Sequence, residues 1–147
     1  MKRTELPRAE ALCAQYLDRT QRVLAAVSGG ADSMCLLYFL REQGYDVSCA
    51  HFNHQLRGAE AARDENFVRA WCEKEGIPFY PGTGDVRAHA RATGKTEEEA
   101  GRDLRYAFLR ETAKSLGAQI ALAHHLDDNA ETVLVALVRG TERRGLG

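Results

Sequence analysis

The chain has 147 residues, of which 44% are hydrophobic and 28% charged, and its formal net charge is −1. The length suits one domain, the composition is typical of a globular protein, and the charge alone gives no support for nucleic-acid binding. No apolar run approaches the ~20 residues that span a bilayer, and the first residues lack the apolar core of a secretory signal. We therefore expect a cytoplasmic protein without a membrane anchor.

The cysteines are too far apart to form a local metal site. They are Cys13, Cys35, Cys49 and Cys72, without a Cys-x-x-Cys pair. This spacing argues against zinc or an iron–sulfur cluster held by local ligands. We expect buried thiols in a reducing compartment.

The first part of the chain alternates between helical spacing and apolar runs of strand length. Helical spacing predicts a helix over Thr4–Asp18, and the continuous apolar run Val23–Val27 predicts a strand buried on both faces. A second helix follows Ser33 and ends near Gly44. Val47–Phe52 is the second predicted strand.

The middle of the chain continues this alternation. Asn53–Gly58 is a predicted loop, and Glu60–Glu75 is a predicted helix because its apolar residues fall on one side. Ile77–Tyr80 predicts a short third strand. Pro81–Asp85 is predicted to be a loop from its composition.

The last part of the chain adds two predicted helices and one strand. Thr96 begins a helix, with Glu99 at the spacing of a capping box and Gly117 at the end. Gln119–Ala123 predicts a fourth strand, and Asp128–Val138 predicts a last helix. Alternating strands and helices indicate one doubly wound α/β domain over residues 1–147, built on a parallel sheet.

A glycine-rich run, Ser28–Ser33, lies between the first strand and the following helix, at the edge where α/β sheets bind ligands. Glycines let backbone N–H groups approach an anion, and the helix N-terminus favours phosphate. Ser28 and Ser33 add hydroxyl donors. Asp32 would repel a bare phosphate, so its presence suggests Mg²⁺ between carboxylate and phosphate. The alternative is a plain strand-to-helix turn with a cap.

Ser-Gly-Gly-x-Asp-Ser after an apolar strand resembles the PP-loop of the ATP pyrophosphatases, which cleave ATP between its α and β phosphates. The resemblance implies a Rossmann-like fold of the adenine nucleotide alpha hydrolase type. The superfamily includes amidotransferase synthetases, tRNA thiolases and lysidine synthetases, and the loop alone does not choose among them. The implied ATP-binding residues are Ser28, Gly29, Gly30, Ala31, Asp32 and Ser33.

Two further runs narrow the resemblance. His51–Gly58, followed by Asp64-Glu65, is similar to the second signature of tRNA(Ile)-lysidine synthetases, although its histidines could be merely structural. Glu98–Leu109 is similar to the same family's Glu-x-Ala-x-Arg-x-x-Arg-Tyr-x-Phe-Leu pattern. Arg102 and Arg105 are three residues apart, so they share a helix face and could bind phosphate or stack on a base. The alternative is a solvated charged face.

The fourth run follows the last predicted strand and contains His124, His125, Asp127 and Asp128. Asp128 fits a helix cap, which leaves the other three unexplained. Carboxylates here, facing Asp32 across adjacent strand ends, could hold Mg²⁺, which prefers oxygen ligands. The run resembles the His-His-x-Asp-Asp-x-x-Glu-Thr motif of the lysidine synthetases.

The resemblance covers the chain from Val23 to Gly147 and implies a carbon–nitrogen ligase. ATP adenylates the C2 oxygen of the first anticodon cytidine in tRNA(Ile) with a CAU anticodon, and free L-lysine then displaces AMP. A cytoplasmic enzyme, a possible homodimer, is expected. The implied catalytic residues are Asp32, Arg102, Arg105, His124, His125 and Asp127. The implied Mg²⁺ ligands are Asp32, Asp127 and Asp128.

Family members continue through further tRNA-binding regions, so we expect this chain to be either the N-terminal catalytic part of a longer protein or a truncated relative. Two other interpretations remain open. A tRNA thiolase uses the same adenylated intermediate, but related thiolases generally carry paired cysteines, and this chain has no Cys-x-x-Cys. A non-catalytic module would bind ATP without cleaving it.

Overall fold

The computed structural model describes residues 17–54, 59–125 and 132–139. The predicted helix over Thr4–Asp18 lies, up to residue 16, outside the described residues. The elements in chain order are β1 (Arg22–Ala26), α1 (Ala31–Glu42), β2 (Val47–Asn53), α2 (Ala59–Glu75), β3 (Phe79–Thr83), α3 (Val86–Thr93), α4 (Glu97–Leu116), β4 (Ala118–His125) and β5 (Thr132–Arg139).

The strands form one sheet in the order β3-β2-β1-β4-β5. The strands β1 to β4 are parallel, as the alternation of strands and helices predicts. β1 lies between β2 and β4, with Val23 opposite Val47 and Arg22 opposite Ala118. The connections turn to opposite sides of the sheet at β1, so the crevice for a ligand lies beyond its carboxyl end.

The two faces of the sheet are covered by different helices. Val23 and Ala25 pack with residues of α1 and α2, whereas Leu24 packs with Leu109 and Ala113 of α4. Neighbouring residues of β1 therefore face opposite layers, as the pleat of a strand requires. This confirms the doubly wound α/β class. Within the described ranges, no helix combines the length and apolar character needed to cross a bilayer.

The predicted helix over Asp128–Val138 is wrong where the structure describes it. Thr132–Arg139 is a strand, β5, antiparallel to β4, with Thr132 opposite His125 and Ala136 opposite Ala121. A short apolar run cannot be assigned to helix or strand by periodicity alone, and this one is rich in β-branched residues. The edge of β4 pairs with it and decides the outcome. Residues 126–131 lie outside the described residues.

The third strand also differs from its prediction. β3 covers Phe79–Thr83 rather than Ile77–Tyr80, so the predicted loop Pro81–Asp85 is largely strand. Proline is tolerated because β3 is an edge strand. Gly82 serves a close contact, since a Cβ there would lie 2.5 Å from the Phe108 ring of α4.

The described cysteines fit the expected buried thiols in part. Cys49 of β2 and Cys72 of α2 are fully buried, whereas Cys35 is half-buried and Cys13 lies outside the described residues. The hydrogen bond with Cys72 and burial both raise the pKa of the Cys49 thiol. The two thiols join β2 to the helix that covers it.

We expect Gly82→Ala to lower the free energy of unfolding by about 1–3 kcal/mol, the usual cost of overpacking. The new methyl group would collide with the Phe108 ring. Urea unfolding of Gly82→Ala, Phe108→Ala and the double variant measures the coupling. In the Phe108→Ala background the Gly82 change should cost clearly less. Equal costs in both backgrounds would show that the ring does not set the identity of residue 82.

Candidate functional site

A cavity of about 680 Å³ lies at the carboxyl ends of β1 and β2, between the loop after β1 and the helices α2 and α4. This is the edge where a doubly wound sheet binds its ligand. The lining combines small and apolar residues with a limited set of polar groups. The polar lining residues are Ser28, Ser33, His51, Asn53, His54, Asp64, Glu97, Glu98 and Arg105.

The loop after β1 is held in shape by its own serine hydroxyls. The Ser28 N–H donates to Ser33 Oγ over 3.1 Å, and the Gly30 N–H donates to Ser28 Oγ over 3.3 Å. Ser33 Oγ in turn donates to the Gly30 carbonyl over 3.1 Å, and the Ser33 side chain is buried. Gly29 has a φ of 98°, a left-handed conformation that favours glycine. The loop is thus a preformed turn with two hydroxyls at the cavity.

The helix that follows begins in a way that suits an anion. Gly30 is the N-cap of α1 in extended conformation, and no side chain caps the amides of this described turn. Backbone N–H groups at a helix N-terminus, together with the helix dipole, favour phosphate. Ala31 and Asp32 lie in this first turn. The Asp32 side chain lies outside what the structure describes.

Only one of the two predicted arginines faces the cavity. Arg105 lines it, whereas Arg102 is exposed and is not among its lining residues. The Arg105 Nε is buried and has no hydrogen-bond acceptor within the described parts of the chain. Its guanidinium carbon lies 5.1 Å from the centre of the Tyr106 ring. An unsatisfied buried donor costs about 1–3 kcal/mol, so an acceptor at the Arg105 Nε, such as a phosphate oxygen, would remove that cost.

The other predicted residues are placed by their backbone alone or not at all. His124 and His125 end β4, which neighbours β1, so they lie at the cavity edge of the sheet. The structure describes their backbone but not their side chains. Asp127 and Asp128, the predicted Mg²⁺ ligands, lie outside the described residues.

The end of β2 brings two histidines to the cavity. Nδ1 of His51 lies 2.8 Å from the carbonyl oxygen of Val27. His54 meets the Phe52 ring edge-on, with 5.0 Å between ring centres. A Cβ at Gly101 of α4 would lie 3.1 Å from the His54 ring, so this glycine allows close packing of the helix against the histidine.

Three carboxylates line the cavity that the sequence analysis did not single out: Asp64 of α2 and Glu97 and Glu98 of α4. Asp64 lies beside the glycine turn, with its Cβ 3.4 Å from where a Cβ of Gly29 would be. The available signal was positional, since Asp64 follows the second motif, Glu98 opens the third and Glu97 directly precedes it. No group of three or more metal-ligand side chains is found among the residues that the structure describes.

The first turn of α4, which carries these glutamates, is fixed by the predicted capping box. Thr96 Oγ1 accepts from the Glu99 N–H over 3.1 Å, and Glu99 Oε1 accepts from the Thr96 N–H over 3.0 Å. The backbone hydrogen bond from Thr96 lowers the pKa of Glu99. In the next turn of α4, Asp103 pairs with Lys95, which lies just before the helix. This pairing lowers the pKa of the Asp103 carboxyl. These contacts set where Glu97 and Glu98 lie.

Comparison with known families identifies the loop. The chain matches the family model described as PP-loop domain over residues 3–147. Its relatives include the tRNA(Ile)-lysidine synthases of Geobacter sulfurreducens, 46% identical, and of Dehalococcoides mccartyi and Thermotoga maritima, both 44% identical. The alignments cover 84–88% of this chain and 27–32% of each relative. The chain thus spans about 30% of their length.

Solved structures support the fold. The NH3-dependent NAD synthetase of Campylobacter jejuni has a TM-score of 0.59 at 14% identity, covering 82% of this chain and 56% of that one. The glutamine-dependent NAD+ synthetase of Acinetobacter baumannii has a TM-score of 0.58 at 14% identity, covering 78% and 23%. At this identity the likeness extends to the architecture only.

We expect Arg105→Met to weaken binding of inorganic pyrophosphate by roughly 10- to 100-fold, since a hydrogen bond to a charged group is worth about 1.5–3 kcal/mol. Arg102→Met, on the same helix but exposed, is the matched control and should change the affinity less than about twofold. Titration calorimetry measures both.

The same Arg105→Met variant should unfold at the wild-type temperature or above it, because the substitution removes a buried N–H without an acceptor. A lower melting temperature with unchanged pyrophosphate affinity would show that Arg105 is structural.

Proposed function

The chain belongs to the family of PP-loop domains, and on that premise we propose that it is the ATP-using catalytic domain of a tRNA(Ile)-lysidine synthase. The observation that carries the proposal is the shared cavity: the serine hydroxyls of the phosphate loop and Arg105 line the same space. The substrate assignment is supported by relatives named tRNA(Ile)-lysidine synthase at 39–46% identity.

The proposed reaction has two steps. The C2 oxygen of the first anticodon cytidine attacks the α-phosphorus of ATP, the bond to the β-phosphate oxygen breaks, and pyrophosphate leaves. The amino group of free L-lysine then attacks C2 and AMP leaves. The first step needs neutralised phosphates and an in-line arrangement more than a protein nucleophile. A preformed loop that shares its cavity with the half-buried Arg105 suits such an arrangement.

The described residues suggest a division of tasks. The amides at the start of α1 and the Ser28 hydroxyl bind the β and γ phosphates that leave as pyrophosphate. Ser33 joins them when its hydroxyl hydrogen turns from the Gly30 carbonyl to a phosphate oxygen. Arg105 donates to the α-phosphate or positions the base, a task for which Arg102 remains a weaker candidate because it is exposed. His124 and His125, at the end of β4, are candidates for moving the proton of the attacking amine.

Carboxylates of the kind that bind Mg²⁺ lie at this edge of the sheet, and those that the structure describes do not by themselves form a group of three ligands. Asp64, Glu97 and Glu98 line the cavity, and Asp32 lies in the first turn of α1. Carboxylate oxygens are the ligands that Mg²⁺ prefers. We propose Asp32 with Asp127 or Asp128 as the residues that hold it, and a bound Mg²⁺ would neutralise phosphate charge.

The remaining assignments follow from the same reaction. We place the enzyme in the cytoplasm, because its substrates are a tRNA, ATP and free lysine, and we retain a homodimer as the proposed assembly. A tRNA thiolase is the rival within the same superfamily. A module that binds ATP without cleaving it is the rival from another class.

We expect the protein containing this domain to incorporate radiolabelled lysine into a tRNA(Ile) transcript with a CAU anticodon, given ATP and Mg²⁺. A transcript with a different first anticodon base is the control and should stay unlabelled. Release of AMP and pyrophosphate without lysine transfer, together with a sulfur-dependent product, would favour the thiolase. Tight ATP binding without any AMP release would favour the non-catalytic module.

Asp32→Asn should abolish Mg²⁺-dependent tightening of ATP binding while leaving the affinity without Mg²⁺ unchanged or slightly higher, because a negative charge is removed near the phosphates. Asp46→Asn is the control, since Asp46 is exposed and lies before β2, at the opposite end of the sheet. Titrations of ATP with and without Mg²⁺ measure the difference. Equal Mg²⁺ tightening in both variants would remove Asp32 from the metal site.

A further inference from the structure

His51 holds the backbone at the entrance of the phosphate loop. Its side chain is only 4% exposed, and its Nδ1 lies 2.8 Å from the Val27 carbonyl oxygen. A carbonyl oxygen can only accept, so Nδ1 carries the hydrogen and donates. The bond therefore selects one tautomer of the imidazole.

The bond extends the pairing of β1 with β2 beyond the last strand residue. The ladder ends with Ala26 opposite Ala50, and the Val27 N–H donates to the Ala50 carbonyl over 2.8 Å. With its carbonyl on His51, Val27 is held on both its N–H and its C=O. The Val27 carbonyl needs no main-chain donor, because the side chain of His51, the residue after Ala50 in β2, donates to it.

Anchoring the Val27 carbonyl also orients the next amide. A trans peptide unit is planar, so the Val27 C=O and the Ser28 N–H lie in one plane and point in opposite directions, and fixing the oxygen fixes the direction of the N–H. That N–H is the first donor of the phosphate loop and bonds to Ser33 Oγ over 3.1 Å. The imidazole thus controls the geometry of the loop at its first residue.

The ring of His51 is itself held in place by neighbouring elements. It stacks on Phe79 of β3, with 6.5 Å between ring centres and 23° between planes. The guanidinium carbon of Arg69 lies 4.7 Å from the centre of the same Phe79 ring, and Arg69 pairs with Glu65 over 3.0 Å. A stack from α2 through β3 therefore fixes the imidazole plane that points its Nδ1 at Val27.

We propose that His51 is a positioning residue for the phosphate loop: its Nδ1–H anchors the Val27–Ser28 peptide so that the loop amides converge on a phosphate. The inference rests on the proposed function, which makes Ser28–Ser33 a phosphate site. If His51 were only structural, its replacement would lower the stability of the protein. Any loss of phosphate affinity would then be explained by that loss of stability.

Three substitutions separate these roles. The side-chain amide nitrogen of His51→Asn can take the place of Nδ1, whereas His51→Gln carries its amide further out and His51→Leu has no donor. We expect His51→Gln and His51→Leu to weaken pyrophosphate binding about tenfold, and His51→Asn to restore most of the wild-type affinity. Calorimetry with inorganic pyrophosphate gives the affinities, and thermal unfolding gives the stabilities. Affinities that follow melting temperature, with no rescue by Asn, would overturn the proposal.

Nitrogen NMR tests the anchor without any ligand. In wild type the His51 ring should show a protonated Nδ1, and the Ser28 amide should exchange with solvent more slowly than in His51→Leu. Phe79→Leu, which keeps the histidine but removes its stacking partner, should speed Ser28 exchange to a smaller extent, and serves if the His51 variants fail to fold. An Nε2-protonated ring, or a Ser28 amide unaffected by either change, would also overturn it. Failure of wild type to bind pyrophosphate would instead reject the phosphate site, and these NMR results would still decide the anchor.

Discussion

The pairing of β1 with β2 on one side and β4 on the other locates every group at the cavity. Because β1 ends at Ala26, opposite Ala50 and three residues before the end of β2 at Asn53, the loop that follows lies between the longer carboxyl ends of β2 and β4. The loop after β1 then lies beside Asp64 of α2 and shares its cavity with Arg105 of α4. Moving the register of β1 by one residue would place the phosphate loop against different neighbours and would turn Leu24 to the wrong layer.

The cavity joins groups of opposite electrostatic character. The amides at the start of α1 and the Arg105 guanidinium favour anions, whereas three lining carboxylates oppose them. A site with both cationic and anionic groups suits a polyphosphate that binds along with cations better than it suits an anion alone. The net charge of −1 is consistent with this, because oriented local groups rather than a basic surface provide the attraction.

The sequence was informative where physical signals are local. The buried parallel strands, the glycine turn at Ser28–Ser33 and the capping box of Thr96 could all be predicted from their own residues. It was not informative where distant contacts decide. β5 depends on the edge of β4 with which it pairs, and the strand at Gly82 depends on pairing with Phe52 of β2, 30 positions away. α3 was missed although Asp85 caps its start, accepting from the Ala88 N–H over 3.0 Å.

Prediction of the site was limited in the same way. Spacing placed Arg102 and Arg105 on one helix face, but only the packing of α4 on the sheet shows which one reaches the cavity. The anchoring of Val27 by His51 joins residues 24 positions apart and depends on the register of two strands.

The antiparallel direction of β5 has a consequence for how the polypeptide continues. β4 runs towards the cavity, and β5 returns, so Arg139 lies opposite Gln119 near the start of β4. With a rise of about 3.4 Å per residue, this displacement along β5 is roughly 24 Å. Any later segment that contributed to the cavity would have to travel that distance back along the sheet or around its edge. The last described residue, Arg139, therefore lies at the end of the sheet opposite the cavity.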